Sequence, residues 1–193
     1  MLIVGSRLLH QPVMGLQTGS ELARTTQPII DPATLGIVAY RIASPLRPGE
    51  LYVRIDDIRE LSNMGFIVDA LDEFVQPNDV IKLDKVIALE FPLVGMTARD
   101  QKNRKLGRVI DYTVDLDSFI IQQLTLRRPL VKSLNDAELV VHRSQIVEIN
   151  RDAIIIDSEA EVPEHTRLTA PGSYVNPFRK PSTAADSADI GNR

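Results

Sequence analysis

The sequence contains no cysteine and no tryptophan, and aromatic residues make up 5% of its 193 positions. The absence of cysteine excludes disulfide bonds, thiolate metal sites and a cysteine nucleophile. No apolar stretch approaches the ~20 residues that a membrane-spanning helix needs, so no membrane insertion is expected. Residues 1–7 also lack the charged leader and long apolar stretch of a signal peptide, which favours a cytoplasmic location.

Histidine, the commonest general base, occurs three times, at positions far apart in the chain: His10, His142 and His165. None of the three lies in a catalytic motif, and the sequence has no nucleophile elbow, metalloprotease helix or phosphate-binding glycine loop. His142 falls at the end of a predicted strand, where a packing role is favoured over a catalytic one. The sequence therefore predicts a protein that is not an enzyme, with no catalytic residues and no cofactor.

The chain is an internal duplication, in which residues 8–70 (repeat 1) and 93–158 (repeat 2) are two copies of one module. Residues 50–69 and 138–157 align without a gap at an offset of 88. Further upstream the offset is 84, and the difference falls in a loop that is longer in repeat 2, as surface hairpins tolerate. The identical pairs in the gap-free block are Glu50/Glu138, Leu51/Leu139, Val53/Val141, Ile58/Ile146, Glu60/Glu148, Ile67/Ile155 and Asp69/Asp157.

Each repeat consists of short β-branched segments separated by turn residues, which is typical of a small β-barrel or sandwich. The sequence thus predicts a mainly β protein of two tandem small β-barrels joined by a short helix. The predicted strands are 28–30, 35–42, 51–55, 58–61 and 66–69 in repeat 1, and 106–114, 119–126, 139–142, 146–149 and 154–157 in repeat 2. The predicted domains are barrel 1 at 1–76, a helical linker at 77–91, barrel 2 at 92–172 and a flexible tail at 173–193.

The linker begins with Pro77-Asn78-Asp79, a typical helix start, and apolar residues then follow at helical spacing. We predict a short helix over residues 79–89, with a strand over residues 80–83 as the alternative. Residues 173–193 are rich in serine, alanine and aspartate. Such a composition does not bury a core, so a disordered tail is expected there.

Three acidic residues, Asp111, Asp115 and Asp117, lie close together in repeat 2, and carboxylate oxygens at short spacing can bind Ca²⁺. The segment lacks the glycine and the late bidentate glutamate of a calcium-binding loop. Repeat 1 keeps only one of the three, as Asp31. An aspartate that opens a turn accepts hydrogen bonds from nearby backbone N–H groups. A plain turn is therefore favoured, and no metal site is predicted.

Repeat 2 resembles the PRC-barrel family, a β-barrel module shared by the photosynthetic reaction-centre H subunit and the ribosome-maturation factor RimM. The resemblance covers about 150 of the 193 residues and implies the barrel fold and a docking role without catalytic residues. Repeat 1 departs from the pattern, with His10 at the place of Gly95 and Ala23 at that of Gly107. The matching segments are Leu93-Val94-Gly95, Leu106-Gly107-Arg108-Val109, Val114-Asp115, Leu139 to Ile146, and Ile154 to Asp157.

Basic residues are concentrated in two loops of repeat 2. Residues 1–92 carry 8 basic and 12 acidic groups, whereas residues 93–157 carry 10 and 9. Such an asymmetry can steer an acidic protein partner or an RNA backbone, although no aromatic residues are interleaved for base stacking. The candidate partner-binding residues are Arg99, Lys102, Arg104, Lys105, Arg108, Arg127, Arg128 and Lys132.

From these features we predict a non-enzymatic protein–protein interaction or scaffold protein built from two PRC-barrel modules. Its binding surface is expected on barrel 2, with barrel 1 mainly structural. The alternative is a ribosome- or RNA-associated assembly factor, in analogy with RimM. A third hypothesis is a small-molecule or metal sensor.

Overall fold

The computed structural model describes residues 1–128 and 138–157, and these residues form 13 strands and one α-helix. Their mainly β architecture confirms that part of the prediction. The strands of the first half are β1 (Leu2–Val4), β2 (Pro12–Gly15), β3 (Glu21–Asp31), β4 (Gly36–Ala43), β5 (Leu51–Arg54), β6 (Glu60–Ser62) and β7 (Gly65–Val68). Helix α1 (Ile81–Ile87) follows, and then β8 (Thr97–Asp100), β9 (Lys105–Asp115), β10 (Ile120–Arg127), β11 (Glu138–His142), β12 (Ile146–Ile149) and β13 (Ala153–Ile156).

All the described strands belong to one open sheet with the order β12-β13-β8-β9-β10-β4-β3-β2-β7-β6. Three strands branch from this path, because β1 pairs with β9, β5 with β4 and β11 with β10. The two ends of the path, β12 and β6, do not pair with each other. The prediction of two separate closed barrels is therefore not confirmed by the described strands.

The duplication is visible in the strand order, since the same sequence of pairings occurs in both halves. β2 pairs with β3 antiparallel and with β7 parallel, as β8 does with β9 and β13. β4 and β10 even share the same alternation of buried and outward residues along all eight positions. Because both repeats bury the same side of equivalent strands, they place equivalent positions in equivalent surroundings.

The two repeats meet at a short antiparallel junction between β4 and β10. The backbone N–H of Ile37 donates to the carbonyl of Phe119 at 2.9 Å, and that of Ile121 donates to the carbonyl of Leu35 at 2.9 Å. Ile37 is equivalent to Ile121 and Leu35 to Phe119, so the two bonds are equivalent. They therefore lie around a pseudo-twofold axis that relates the repeats. Leu35 and Phe119 both have left-handed backbones (φ of 53° and 52°) and both side chains are buried.

Buried residues from both repeats form one hydrophobic cluster. A second, smaller cluster contains Ile29, Ala39 and Tyr52 of the sheet together with Leu83 of helix α1. The helix predicted over residues 79–89 is thus present in shorter form, and it covers the outer face of β3, β4 and β5. No helix of the described residues is long and apolar enough to cross a membrane. The predicted tail at 173–193 lies outside the described residues.

Candidate functional site

The strand register brings four of the predicted basic residues onto one outward face of repeat 2. Arg99 on β8 lies directly opposite Lys105 on β9, and Arg108 on β9 lies directly opposite Arg127 on β10. Lys105, Arg108 and Arg127 are exposed, and Arg99 is half-buried. Directly opposite residues on neighbouring strands have Cβ atoms about 4.5–5.5 Å apart. We call Arg99, Lys105, Arg108 and Arg127 the basic face.

Two other predicted residues, Lys102 and Arg104, lie in the turn between β8 and β9. Arg104 holds this turn, because its Nε donates to Asp100 Oδ2 at 2.6 Å and its backbone N–H donates to Asp100 Oδ1 at 2.8 Å. Burial alone would raise the pKa of Asp100, but the hydrogen bonds from Arg104 outweigh it and lower that pKa. Arg104 therefore has a structural role that the sequence did not reveal.

The remaining predicted residues differ in their surroundings. Arg99 Nη1 donates to the backbone carbonyl and to Oδ1 of Asn103, each at 3.2 Å. Arg128 is exposed just after β10, and Glu138 of β11 lies opposite Arg127 on the side away from Arg108. Within the described part of the chain, no ion pair joins a carboxylate to any residue of the basic face. Lys132 lies outside the described residues.

Repeat 1 shows what the same fold does without these charges. Arg24 occupies the position of Arg108, and its Nη2 lies 2.6 Å from Glu21 Oε2. The residue opposite Arg24 on the next strand is Ala43. Repeat 2 has Lys105 where repeat 1 has Glu21, and Arg127 where repeat 1 has Ala43. Arg24 and Arg108 are thus equivalent. The residues beside this arginine are an acid and an alanine in repeat 1, and two basic residues in repeat 2.

At the place of the basic turn, repeat 1 has an apolar groove of about 610 Å³. Thr18 and Ser20 occupy the positions of Lys102 and Arg104, and Leu22, Leu46 and Leu71 also line the groove. Leu46 is 57% exposed. The equivalent ends of the two repeats therefore differ in chemistry, one apolar and one basic.

The three neighbouring aspartates accept hydrogen bonds in turns and contact residues near position 1. Asp111 Oδ1 accepts hydrogen bonds from the backbone N–H groups of Ser6 and Tyr112. Asp115 accepts from Ser118 Oγ at 2.8 Å, as Asp31 accepts from Thr34 Oγ1 at 3.0 Å in repeat 1. These contacts fit the predicted aspartate-opened turn.

Asp115 Oδ1 and Asp117 Oδ2 also each lie 3.0 Å from the amino group of Met1. No cluster of three potential metal-binding side chains occurs among residues 1–128 and 138–157.

His142 caps a 3-10 turn (Arg143–Gln145) after β11. Its Nδ1 accepts from the backbone N–H of Ser144 at 3.1 Å, and its own backbone N–H donates to Gln145 Oε1 at 2.9 Å. Burial, and next the charge of Arg143, lower the pKa of His142. The equivalent residue in repeat 1 is Arg54, whose Nε donates to Asp57 Oδ2 at 2.6 Å across the matching turn. Both residues thus stabilise the same turn, His142 through hydrogen bonds to Ser144 and Gln145 and Arg54 through its hydrogen bond to Asp57.

His10 is exposed in a left-handed backbone conformation, and its carbonyl accepts a hydrogen bond from Arg24 Nη1 at 3.1 Å. His165 lies outside the described residues. The hydrogen bonds described for His10 and for His142 join them to different parts of the chain. No model of a known protein family matches this sequence, and no curated protein matches it either.

Proposed function

We propose that this protein is a non-enzymatic protein-binding scaffold of the cytoplasm, built from two PRC-type barrel modules. Repeat 2 binds an acidic surface of a protein partner through the basic face. Repeat 1 supplies the other half of the shared core and holds repeat 2 in place. The observation that carries the proposal is the placement of like charges directly opposite each other on neighbouring strands.

Such an arrangement has an energetic cost, because like charges opposite each other destabilise a sheet, where favourable cross-strand pairs contribute roughly 0.2–1 kcal/mol. The fold does not require it, since repeat 1 forms the same strands with Glu21 and Ala43 at two of these positions. Glu138, opposite Arg127 on its other side, offsets part of this cost. A remaining cost that the fold does not require supports a surface that acts on a partner. A carboxylate-bearing partner would neutralise the basic face and remove the repulsion.

The test is a double substitution that copies repeat 1, Lys105→Glu with Arg127→Ala. Affinity capture from the native host with the unchanged protein should recover a protein partner, and the double variant should lose it. The variant should at the same time unfold at an equal or higher temperature, because Arg108 gains the ion pair that Arg24 already has. An unchanged recovery by a folded variant would contradict the proposal.

The matched control is Lys82→Glu with Lys85→Ala, which changes the net charge by the same amount on helix α1. This control should recover the partner as the unchanged protein does. Recovery of RNA rather than protein, in a salt-sensitive manner, would instead support the ribosome- or RNA-associated alternative.

A further inference from the structure

Strand β1 precedes repeat 1 in the chain but pairs with repeat 2. It lies antiparallel to β9, with Ile3 opposite Val114, and the backbone N–H of Leu116 donates to the carbonyl of Met1 at 2.8 Å. Because hydrogen-bonded pairs alternate along an antiparallel ladder, the N–H and carbonyl of Val114 face Ile3. The side chain of Ile3 packs against the main hydrophobic cluster. β1 thus closes the part of the β9 edge that lies beyond the pairing with β8.

The equivalent edge of repeat 1 has no such strand. Ile30 on β3 corresponds to Val114 at the offset of 84, and the two lie at the same step of equivalent strand pairs, β3–β4 and β9–β10. β3 pairs with β2 over residues 21–24 and with β4 on its other side. The N–H and carbonyl of Ile30 therefore face an edge with which no strand of the described residues pairs. An unpaired edge of this kind is a template for another chain.

A groove of about 290 Å³ lies beside this edge, and we call it the edge groove. Its lining is mostly apolar, with Ile29 and Ile30 from β3 and with Val86, Ile87 and Phe91 from the end of helix α1 and the segment after it. This volume is near the lower end of the range for ligand pockets. The edge groove is therefore suited to a short extended segment with apolar side chains.

Two polar side chains of the edge groove offer hydrogen bonds to such a segment. Arg41 Nε is buried and has no hydrogen-bond partner within the described ranges. Gln27 is exposed and corresponds to Asp111 of repeat 2. Asp111 Oδ1 accepts a hydrogen bond from the backbone N–H of Ser6, just after β1. The Gln27 side chain can accept the same bond from a segment that follows the path of β1.

We propose that repeat 1 binds an extended apolar segment of a partner protein, which adds to the edge of β3 as β1 adds to β9. The backbone of the segment pairs with Ile30, and its apolar side chains pack in the edge groove. A second copy of this chain does not supply the segment, because its own β1 already pairs with its own β9. The edge groove shares no residue with the basic face. Repeat 1 thereby has a binding role beyond the structural one in the proposed function.

The two equivalent sites differ by one main-chain bond. Pro32 occupies the position of Leu116, and proline has no backbone N–H to donate to the added segment. The segment in repeat 1 is therefore held by fewer hydrogen bonds than β1 in repeat 2. A site with fewer bonds is suited to a partner that binds and dissociates.

The test uses the full chain and a synthetic peptide with the sequence of residues 1–8, labelled at its C-terminal end. Because β1 already fills the edge of β9, the peptide should bind at β3, and fluorescence anisotropy should show saturable binding. Hydrogen exchange at the N–H of Ile30 should slow at least about tenfold when the peptide is added. A peptide N-methylated at Ile3, and one with the substitution Ile3→Asp, should each bind at least about tenfold more weakly.

Two substitutions that copy repeat 2 should strengthen peptide binding. Gln27→Asp supplies the carboxylate of Asp111, and Pro32→Leu restores the backbone N–H of Leu116. The double variant should bind the peptide at least about threefold more tightly, because it adds hydrogen bonds that β1 has on β9. The matched control Gln17→Asp adds the same charge at an exposed position between β2 and β3 and should leave binding unchanged.

Failure of the peptide to bind would overturn the inference. Binding with unchanged exchange at Ile30 would do the same, because the peptide would then have replaced β1 or bound elsewhere. Equal binding of the N-methylated and unmodified peptides would exclude strand pairing. Partner capture with the basic-face variants decides the proposed function independently, since those variants leave the edge groove unchanged.

Discussion

At the scale of single residues, Gly107 shows why one repeat keeps a glycine that the other lacks. A Cβ added at Gly107 would lie 2.5 Å from the backbone carbonyl oxygen of Arg127. Ala23, at the same position of repeat 1, is buried without difficulty. The backbones of β9 and β10 therefore approach more closely here than those of β3 and β4.

Gly107→Ala should lower the free energy of unfolding by about 1–3 kcal/mol, because the backbone of Arg127 must move to admit the methyl group. Chemical denaturation measures the change. Gly36→Ala is the matched control, since its nearest neighbour would be the flexible Thr34 side chain at 3.1 Å. The control should change stability by less than about 1 kcal/mol. Equal losses in the two variants would contradict the close approach at Gly107.

His142 gives the stability of the protein a pH dependence. Because its pKa is lowered in the folded state, the unfolded chain binds more protons as the pH falls through about 6.5. Stability that is present above this pH should therefore decrease on acidification. Thermal unfolding between about pH 8 and pH 5 measures this decrease.

The decrease should be smaller in His142→Asn, which can still accept a hydrogen bond at the cap. An equal decrease in His142→Asn and in the unchanged protein would contradict this origin of the pH dependence. Asp100, whose pKa is also lowered, loses its contribution in a separate and more acidic range, below about pH 4.

At the scale of elements, strands with apolar alternation could be predicted whatever their length, including the four-residue β5, β7, β12 and β13, whereas the 11-residue β3 was predicted only over residues 28–30. The predicted strands over 106–114 and 119–126 correspond to β9 and β10, whose alternating apolar residues face the core. The four-residue strands β2 and β8 were missed, because Thr97-Ala98-Arg99-Asp100 has no apolar alternation. β8 forms through its pairing with the following strand β9 and with β13, which is distant in sequence. The composition therefore predicted the basic loops, whereas only the strand register shows which basic residues lie opposite each other.

Helix α1 stabilises repeat 1 through one side chain in particular. Leu83 is 6% exposed and packs with Ile29, Ala39 and Tyr52. Leu83→Ala should lower the free energy of unfolding by about 2–5 kcal/mol, because it leaves a cavity beneath the helix. Ile81→Ala, at a position 73% exposed, should change it by less than about 0.5 kcal/mol. Equal effects in denaturant unfolding would show that the helix does not depend on this contact.

At the scale of the whole molecule, the two repeats depend on one core. The largest buried cluster contains Leu35, Ile37 and Tyr40 from repeat 1 together with Phe119 and Ile121 from repeat 2. Each repeat alone would expose its share of this cluster to water. Their joint burial explains how two small modules can be stable, since a domain of such size has a marginal core.

Chains comprising residues 1–90 and 91–193 should accordingly be poorly folded when separate and should assemble when mixed. Circular dichroism and size-exclusion chromatography measure the recovery of structure and the formation of a one-to-one complex. Two halves that each unfold cooperatively as monomers, at the temperature of the intact chain, would contradict dependence on a shared core.

The junction around the pseudo-twofold axis has a consequence for larger assemblies. Two identical chains related by such an axis must present every surface twice, so an added charge would appear at both ends. Covalent linkage of the halves removes that constraint and keeps them together at any dilution. Repeat 1 could retain an apolar groove where repeat 2 became basic. The two repeats therefore present chemically different surfaces, and an assembly built on the proposed scaffold would have a direction.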